Sequence, residues 1–419
     1  MGPQGPPPPQ ITIIGGGMIT HDQILPSLYQ AQRMNGVGQI DVCAQHGRTV
    51  KSLAESEGLK KSFPRQSFRS YPDPSAGNLD EPQPELYRQV ISKMAPRNIV
   101  CVAVPDMLHY DVIMTALKHN QHVLCVKPLT LQAAQSVEIE REAAGRGLFV
   151  GIEYHKRFDD RSLLARKRYR EGYFGEFKLG TACLLEKWYY RNSNFQNWCT
   201  TENSDAFTYI GCHYVDLVHF ITGLMPVSVS VYGVRDRYPN GNEGFLWTDA
   251  RILWNNGACL NVQNAIGFPD EAPGTNTQGL SMYCSDGSKG AWLEHSDQYR
   301  GLRYCYTRRP DGPGSTVFAE PSTDYFQLLD FGEGLGVPAG YGFRSIHALL
   351  VSCMRVEMTN PGMRSAALRD LDAKEIVATP ANSRYNELVI EAGRLSILNG
   401  GREAVIDYGP PPSVRLREY

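Results

Sequence analysis

Three groups of residues in this chain have types and spacings suited to chemistry. The first is Gly15-Gly16-Gly17-Met18-Ile19-Thr20, between an apolar run at 11–14 and a helical stretch. It matches G-x-G-x-x-[G/A] at its first two glycines. Gly15 suits a tight turn, Gly17 lets backbone approach a pyrophosphate, and the helix N-terminus beyond supplies N–H groups and a positive dipole end. Met18 and Ile19 join the candidate cofactor contacts. Three glycines also make a plain loop; the strand before and the helix after favour a dinucleotide. Thr20, in place of Gly or Ala, predicts looser helix–strand packing. The second group is Lys127-Pro128, just past an apolar strand, at the rim where open α/β sheets bind ligands. A lone lysine there is otherwise a solvated charge. The third is His213 on a helix over 205–222, with Tyr209 and Asp216 at i−4 and i+3, so that all three share one face. Such a histidine can shuttle a proton while Tyr209 or Asp216 orients its ring; the alternative is a core histidine bonded to a carbonyl. Asp205 reads as the cap of that helix, with a substrate contact as the alternative.

The elements that must position these residues alternate. Strands are read at 11–14, 40–44, 99–104, 122–126 and 148–154, and helices at 20–34, 49–57 (stopped at Gly58), 85–94, 109–119 and 130–145, with a surface loop at 71–84. This order predicts an α/β Rossmann domain with a doubly wound parallel sheet and right-handed crossovers. Beyond 155 a helix at 160–171 leads into strand-like runs at 177–187, 227–234, 248–254, 258–266, 280–285 and 291–295. Helices at 343–357 and 383–398 follow. The turns Asn255-Asn256-Gly257 and Ser285-Asp286-Gly287 predict antiparallel pairing, hence a second α+β domain with a mostly antiparallel, open-faced sheet. The expected division is a Pro-rich arm at 1–10, a Rossmann domain at 11–155, a substrate and oligomerisation domain at 156–380, and a C-terminal helix and tail at 381–419 packing back on the Rossmann domain.

The second strand of such a domain usually ends in an acid that takes the ribose hydroxyls. Here Ala44 stands at that end, followed by Gln45, His46 and Arg48. Arg48 can pair a 2′-phosphate; Gln45 and His46 can bond a ribose diol; each also suits a polar surface turn. NAD and NADP both stay open. The segment 186–198, with Trp188, Tyr189 and Arg191, is dense in aromatics, amides and charge. Sugars stack their CH faces on rings and bond amides and guanidinium groups, so the composition fits a carbohydrate pocket. It fits a packed loop or subunit interface equally.

Four segments together resemble the glucose–fructose oxidoreductase, inositol dehydrogenase and rhizopine-catabolism superfamily. They are Ile14 to Ile19, Val104-Pro105-Asp106-Met107-Leu108-His109, His122-Val123-Leu124-Cys125-Val126-Lys127-Pro128, and Tyr209-Ile210-Gly211-Cys212-His213-Tyr214-Val215-Asp216. The third resembles the family's Glu-Lys-Pro signature, with Val126 in place of the glutamate. Tyr209 replaces the aspartate usual four residues before the histidine. The resemblance implies a NAD- or NADP-dependent oxidoreductase acting on a secondary hydroxyl of a sugar, glycoside or cyclitol. It implies that Lys127 bonds both substrate hydroxyl and nicotinamide ribose, and that His213 carries a proton beside Tyr209. It also implies that Pro105, Asp106, His109 and Arg157 face the cofactor, and Tyr154, His155 and Asp216 the substrate. The two departures leave room for a glycoside hydrolase or epimerase that oxidises its substrate transiently and recycles the cofactor. A non-catalytic ligand sensor is the remaining alternative.

Composition narrows the partners. Charge is nearly balanced, 42 basic against 44 acidic side chains, which argues against nucleic acid and anionic membrane surfaces. Ten cysteines without a C-x-x-C pair read as buried thiols in a reducing compartment, and no metal site is suggested. MGPQGPPPPQ lacks a basic start and an apolar core, so it is not read as a signal peptide. No apolar run approaches the ~20 residues of a membrane span. The expectation is a soluble, cytoplasmic protein with a small-molecule carbohydrate substrate, homo-oligomeric through the second-domain sheet.

Overall fold

Short apolar runs become strands β1 (Ile11–Ile14), β2 (Ile40–Cys43), β3 (Arg69–Tyr71), β4 (Ile99–Val102), β5 (His122–Val126) and β6 (Val150–Glu153). In this computed structural model, which describes residues 7–75, 77–272, 274, 276–296, 306–308, 317–319 and 324–418, they form one sheet. Residues 1–6 of the proline arm and Cys305 lie outside the described residues. The sheet is parallel, in the order β3-β2-β1-β4-β5-β6. Every residue of β1, β2, β4 and β6 is buried, as strands covered on both faces must be. Each buried Ile or Val there contributes about 1.5–3 kcal/mol.

Two local readings change. β3 is not read from the sequence and runs just ahead of the loop, sharing only Tyr71 with it; its three residues are half-buried or exposed, so no apolar run announces it. Gly58 does not stop a helix: Gly47–Glu55 ends where Ser56 turns extended, and Gly58 lies inside the next helix, Glu57–Ser62.

The chain divides into two units, and not at the expected boundaries. The first comprises Met1–Thr130, Gln135–Phe158 and Tyr325–Ser383; the second comprises Leu131–Ala134, Asp159–Asp324 and Arg384–Tyr419. The reason for the first is the helix Tyr341–Met358. Its stripe of Ile346, Leu349, Leu350, Cys353 and Val356 joins the core built on Ile11, Ile13, Val42 and Ile99. A Cβ at Gly151 of β6 would lie 2.6 Å from Leu349 Cδ2, so glycine permits this close approach. Ile152 N donates to Ala378 O at 2.9 Å, laying the following segment beside β6.

The second unit holds β7 (Glu176–Lys187), β8 (Pro226–Arg237), β9 (Glu243–Trp254), β10 (Cys259–Phe268), β11 (Asn276–Ser285) and β12 (Gly290–His295). They make an eight-stranded sheet ordered β12-β11-β7-β10-β9-β8, then Ala404–Asp407 and Ser413–Leu416. Its pairings are antiparallel except β7 with β10. The C-terminal tail was expected on the Rossmann domain. It extends this sheet, pairing Ala404 with Val229 and Val405 with Ser228. The nine described cysteines are free thiols, buried or half-buried. Among the described residues, no helix is long and apolar enough to cross a membrane.

A buried polar cluster closes the N-terminal edge of the parallel sheet. His122 Nδ1 accepts from Phe149 N at 2.9 Å, which leaves Nε2 to donate to Glu357 Oε2 at 3.1 Å. Burial holds His122 below the ordinary imidazole range, against the opposing pull of Glu357. Burial alone would raise Glu357, but hydrogen bonds from His122 and Arg97 and the charges of Arg97 and Arg364 hold it below the usual range. Both folded values are depressed, so the stability they contribute is present above the ordinary values, about 6.5 and 4.3, and is lost as pH falls through them. His122→Ala should therefore cost about 1–3 kcal/mol at pH 7 and less at pH 5, measured by denaturant unfolding at both pH values. An equal cost at both would contradict this account.

Candidate active site

The strand order reverses between β1 and β4, and ligands of open α/β sheets bind at such a switch point, beyond the strand C-termini. Because the sheet is parallel, all these ends lie on one edge. The segments leaving that edge are Gly15–Thr20 after β1, Val104–His109 after β4, Lys127-Pro128 after β5 and Tyr154–Phe158 after β6.

Gly15 has φ +110°, a conformation that favours glycine, and a Cβ there would fall on the carbonyl oxygen of Ala103. Beside Gly17 nothing lies within 4 Å of a built Cβ. This glycine opens a cradle instead of fitting a contact. Met18 is exposed and Ile19 half-buried against the core. The helix begins as a π turn, Thr20–Ile24, and continues as Leu25–Arg33. The packing at Thr20 is not looser, as expected, but closed: Thr20 is fully buried and its hydroxyl donates to Gly15 O at 2.8 Å. A tight glycine turn, an open glycine and a helix N-terminus fit the pyrophosphate of a dinucleotide.

Past β2, Gln45 and Arg48 are exposed and His46 is half-buried, with Arg48 in a two-bonded ion pair with Asp80. Past β4, Pro105 is half-buried and Asp106 buried. His109 is fully buried, its ring nitrogens lying 2.7 Å from Pro128 O and 2.9 Å from Val104 O. His109 thereby ties the loops after β4 and β5 together. Lys127, half-buried, stands immediately before Pro128 across a cis peptide bond.

Past β6, Tyr154 and Arg157 are each about 1% exposed, with the guanidinium 5.7 Å from the Tyr154 ring centre and donating to Glu375 O at 3.4 Å. His155 Nδ1 donates to Glu153 Oε2 at 3.1 Å, and its ring packs beside Tyr325 and Tyr341. Gln23, which sequence reasoning missed, completes this cluster. Its amide donates to Glu153 Oε1 at 2.8 Å and to Gly342 O at 3.1 Å, and its own oxygen accepts from Tyr325. Gln23 follows the polar residues Thr20, His21 and Asp22, so no local signal marked it.

In the second unit, Asp205 caps as read: Oδ1 accepts from Thr208 N at 2.8 Å and Oδ2 from the Thr208 hydroxyl at 3.0 Å. The helix then opens with a π turn, Phe207–Gly211, before Cys212–Thr222. Tyr209 lies within that π turn, four residues before His213. The Tyr209 ring packs edge-on to Phe195 and Trp198, centroids 4.7 and 5.6 Å away. His213 is buried. Asp216 is buried too, accepting from Tyr385 Oη at 2.8 Å and Asn386 Nδ2 at 3.0 Å. These two bonds tie Asp216 to the helix Pro380–Leu398.

Arg191 is likewise held by the fold. It is buried; Nε donates to Ile266 O and Nη1 to Asp236 Oδ2, both at 2.6 Å, and the guanidinium lies 3.8 Å from the Trp188 ring centre. These contacts make Arg191 a strut between the segment 188–198 and the sheet. Trp188 and Tyr189 keep about half their surface exposed.

Residues 10–154 match the family model described as "Oxidoreductase family, NAD-binding Rossmann fold", and residues 162–288 match "GFO/IDH/MocA C-terminal domain". The chain belongs to this family. It is 24% identical over 225 residues to D-glucoside 3-dehydrogenase of Escherichia coli (strain K12), covering 52% of this chain and 56% of that one. The chain thus spans little more than half the length of that curated relative. An inositol dehydrogenase homolog from Azotobacter vinelandii, complexed with NADH and myo-inositol, superposes with TM-score 0.62 at 17% identity, covering 94% of this chain and 97% of that one. The scyllo-inositol dehydrogenase from Lactobacillus casei, with NAD(H) and scyllo-inositol, gives 0.60 at 14%, covering 94% and 96%. At these identities the structural likeness establishes the fold.

The two glycines should separate experimentally. Gly15→Ala should destabilise the protein by about 3 kcal/mol or more, because both φ and the Ala103 carbonyl oppose a Cβ. Gly17→Ala should melt within about 1 kcal/mol of the parent and bind NADH more weakly in a fluorescence titration. Full NADH affinity in Gly17→Ala would remove Gly17 from the cradle.

Proposed function

We propose that this chain is an NAD(P)-dependent oxidoreductase acting on a secondary hydroxyl of a sugar, glycoside or cyclitol. The observation that carries the reading is Lys127, held at the end of β5 by the Pro128 turn that His109 braces, on the sheet edge that bears the Gly15–Thr20 cradle. A nicotinamide, when bound, accepts a hydride from carbon. The hydroxyl proton must leave as the carbinol carbon is oxidised, so a positioned base is required. Lys127 is assigned to hold the substrate hydroxyl and take up that proton, and His213 to carry a proton in the second unit. Trp188 and Tyr189, each about half exposed, are assigned to stack on the CH faces of a polyol. The names of the relatives, a glucoside dehydrogenase and two inositol dehydrogenase-type proteins, support this substrate class.

The proposal includes a homo-oligomer. Leu179, Tyr283 and Trp292 lie side by side across β7, β11 and β12 with half their surface exposed. Such an apolar row on an open sheet suits burial against a second copy, with the same rings on both sides of a twofold axis. Trp292→Glu should lower the mass found by sedimentation; a monomeric parent would refute this assembly.

Lys127→Met tests the chemistry. Turnover of a polyol panel, followed by nicotinamide absorbance, should fall about 10²- to 10⁴-fold while NADH binding is retained. Undiminished turnover with intact binding would overturn the assignment of Lys127.

A further inference from the structure

The turn after β2 carries an arginine but, in Ala44, no acid where such strands usually end in one. The fold brings a carboxylate there from elsewhere. Asp80, in the loop after β3, accepts from Arg48 Nε and Nη2 at 2.6 Å each. The loop is laced to the turn along its length. His46 Nδ1 donates to Asp80 O at 3.2 Å, Arg48 N to Leu79 O at 3.0 Å, and Gln83 N to Gln45 O at 2.8 Å. Gly47 is packed against Leu79, 3.1 Å from a built Cβ to Leu79 Cδ2. Both charged side chains are more than half exposed, so a ligand at the end of β2 can reach them.

We infer that Asp80 takes the place of the missing strand-end acid and makes this protein select NAD over NADP; the inference rests on the dinucleotide reading above. The adenosine ribose of a Rossmann-bound dinucleotide lies at the end of the second strand. A ribose diol can donate to the lone pairs that a carboxylate keeps after accepting two bonds from Arg48. A 2′-phosphate instead meets a carboxylate of like charge, and the guanidinium fork that would receive it is already filled in the bidentate geometry that suits it best. Hydrogen bonding from Arg48 holds the Asp80 carboxyl below the usual range, so it stays ionised at neutral pH. An exposed ion pair is weak, worth about 1 kcal/mol or less, so it is no great obstacle by itself. The discrimination comes from the charge of Asp80 at the ribose, and a preference of about tenfold or more is expected.

The test is fluorescence titration of NADH and NADPH onto the full-length chain, its Asp80→Asn variant and its Arg48→Ala variant. The parent should bind NADH about tenfold tighter or more. Asp80→Asn keeps the side-chain shape and removes the charge; it should shrink the ratio about tenfold, chiefly by tighter NADPH binding. Arg48→Ala should keep the NADH preference, and it informs the case in which Asp80→Asn fails to fold. Equal or tighter binding of NADPH by the parent overturns the inference, as does a ratio unchanged in Asp80→Asn. A loss of NADPH binding in Arg48→Ala from a parent that favoured NADPH would make Arg48 the 2′-phosphate anchor instead. A parent that binds neither dinucleotide would overturn the dinucleotide reading itself, whereas binding of both at an unaltered ratio sinks only the role of Asp80.

Discussion

The first unit depends on how closely the turn leaving β1 approaches β4. These strands are neighbours at the switch point, and the backbone of residue 15 passes against the carbonyl of Ala103 with no room for a Cβ. Thr20 then closes the turn by donating back to Gly15 O. With that turn tight, the helix starts directly above the sheet edge and the open side of Gly17 is presented there. Parallel pairing does the rest: it sends the exits of β1, β2, β4, β5 and β6 to the same edge, so residues from 15 to 158 share a rim although the sequence keeps them far apart.

Behind that rim stand polar residues that are buried and paired. His109 spans the carbonyls of Val104 and Pro128, and Gln23 and His155 hold Glu153 from two sides. In the second unit Asp216 and Arg191 play comparable parts. Leaving any such group without its partner costs about 1–3 kcal/mol, more when it is charged, so these contacts make the geometry around the surface residues stiff. They also explain why residue type misleads. Arg, Asp and His have the hydrogen-bonding capacity that substrates require, and a core uses the same capacity for itself.

The element pattern was largely legible. Runs such as Ile99–Val102 and His122–Val126 are read as strands because two-sided burial demands unbroken apolar character, and the antiparallel sheet is announced by its turns. What escaped had weak local signals: β3 is three half-exposed residues at a sheet edge, and Ala404–Asp407 is a short strand near the chain end. The π turn at Phe207–Gly211 is a subtler loss, since one extra residue in a turn is invisible to a 3.6-residue pattern.

By itself the sequence determined the two-unit α/β and α+β composition, the glycine cradle and the family, because these rest on local periodicity and on motifs a few residues long. Tertiary structure alone decided which surface each element covers. The stripe on Tyr341–Met358 can be seen in the sequence, but an apolar stripe does not say which sheet buries it; contact with the β1 and β2 core placed 325–383 in the first unit. The tail likewise joined β8, where free backbone groups at a sheet edge could pair with it. The partners of Arg48, Asp216 and Arg191 were settled in the same way, by residues 32, 169 and 45 positions distant. Hydrogen-bond capacity is a property of the residue, whereas its use depends on which distant groups the packed core brings within reach.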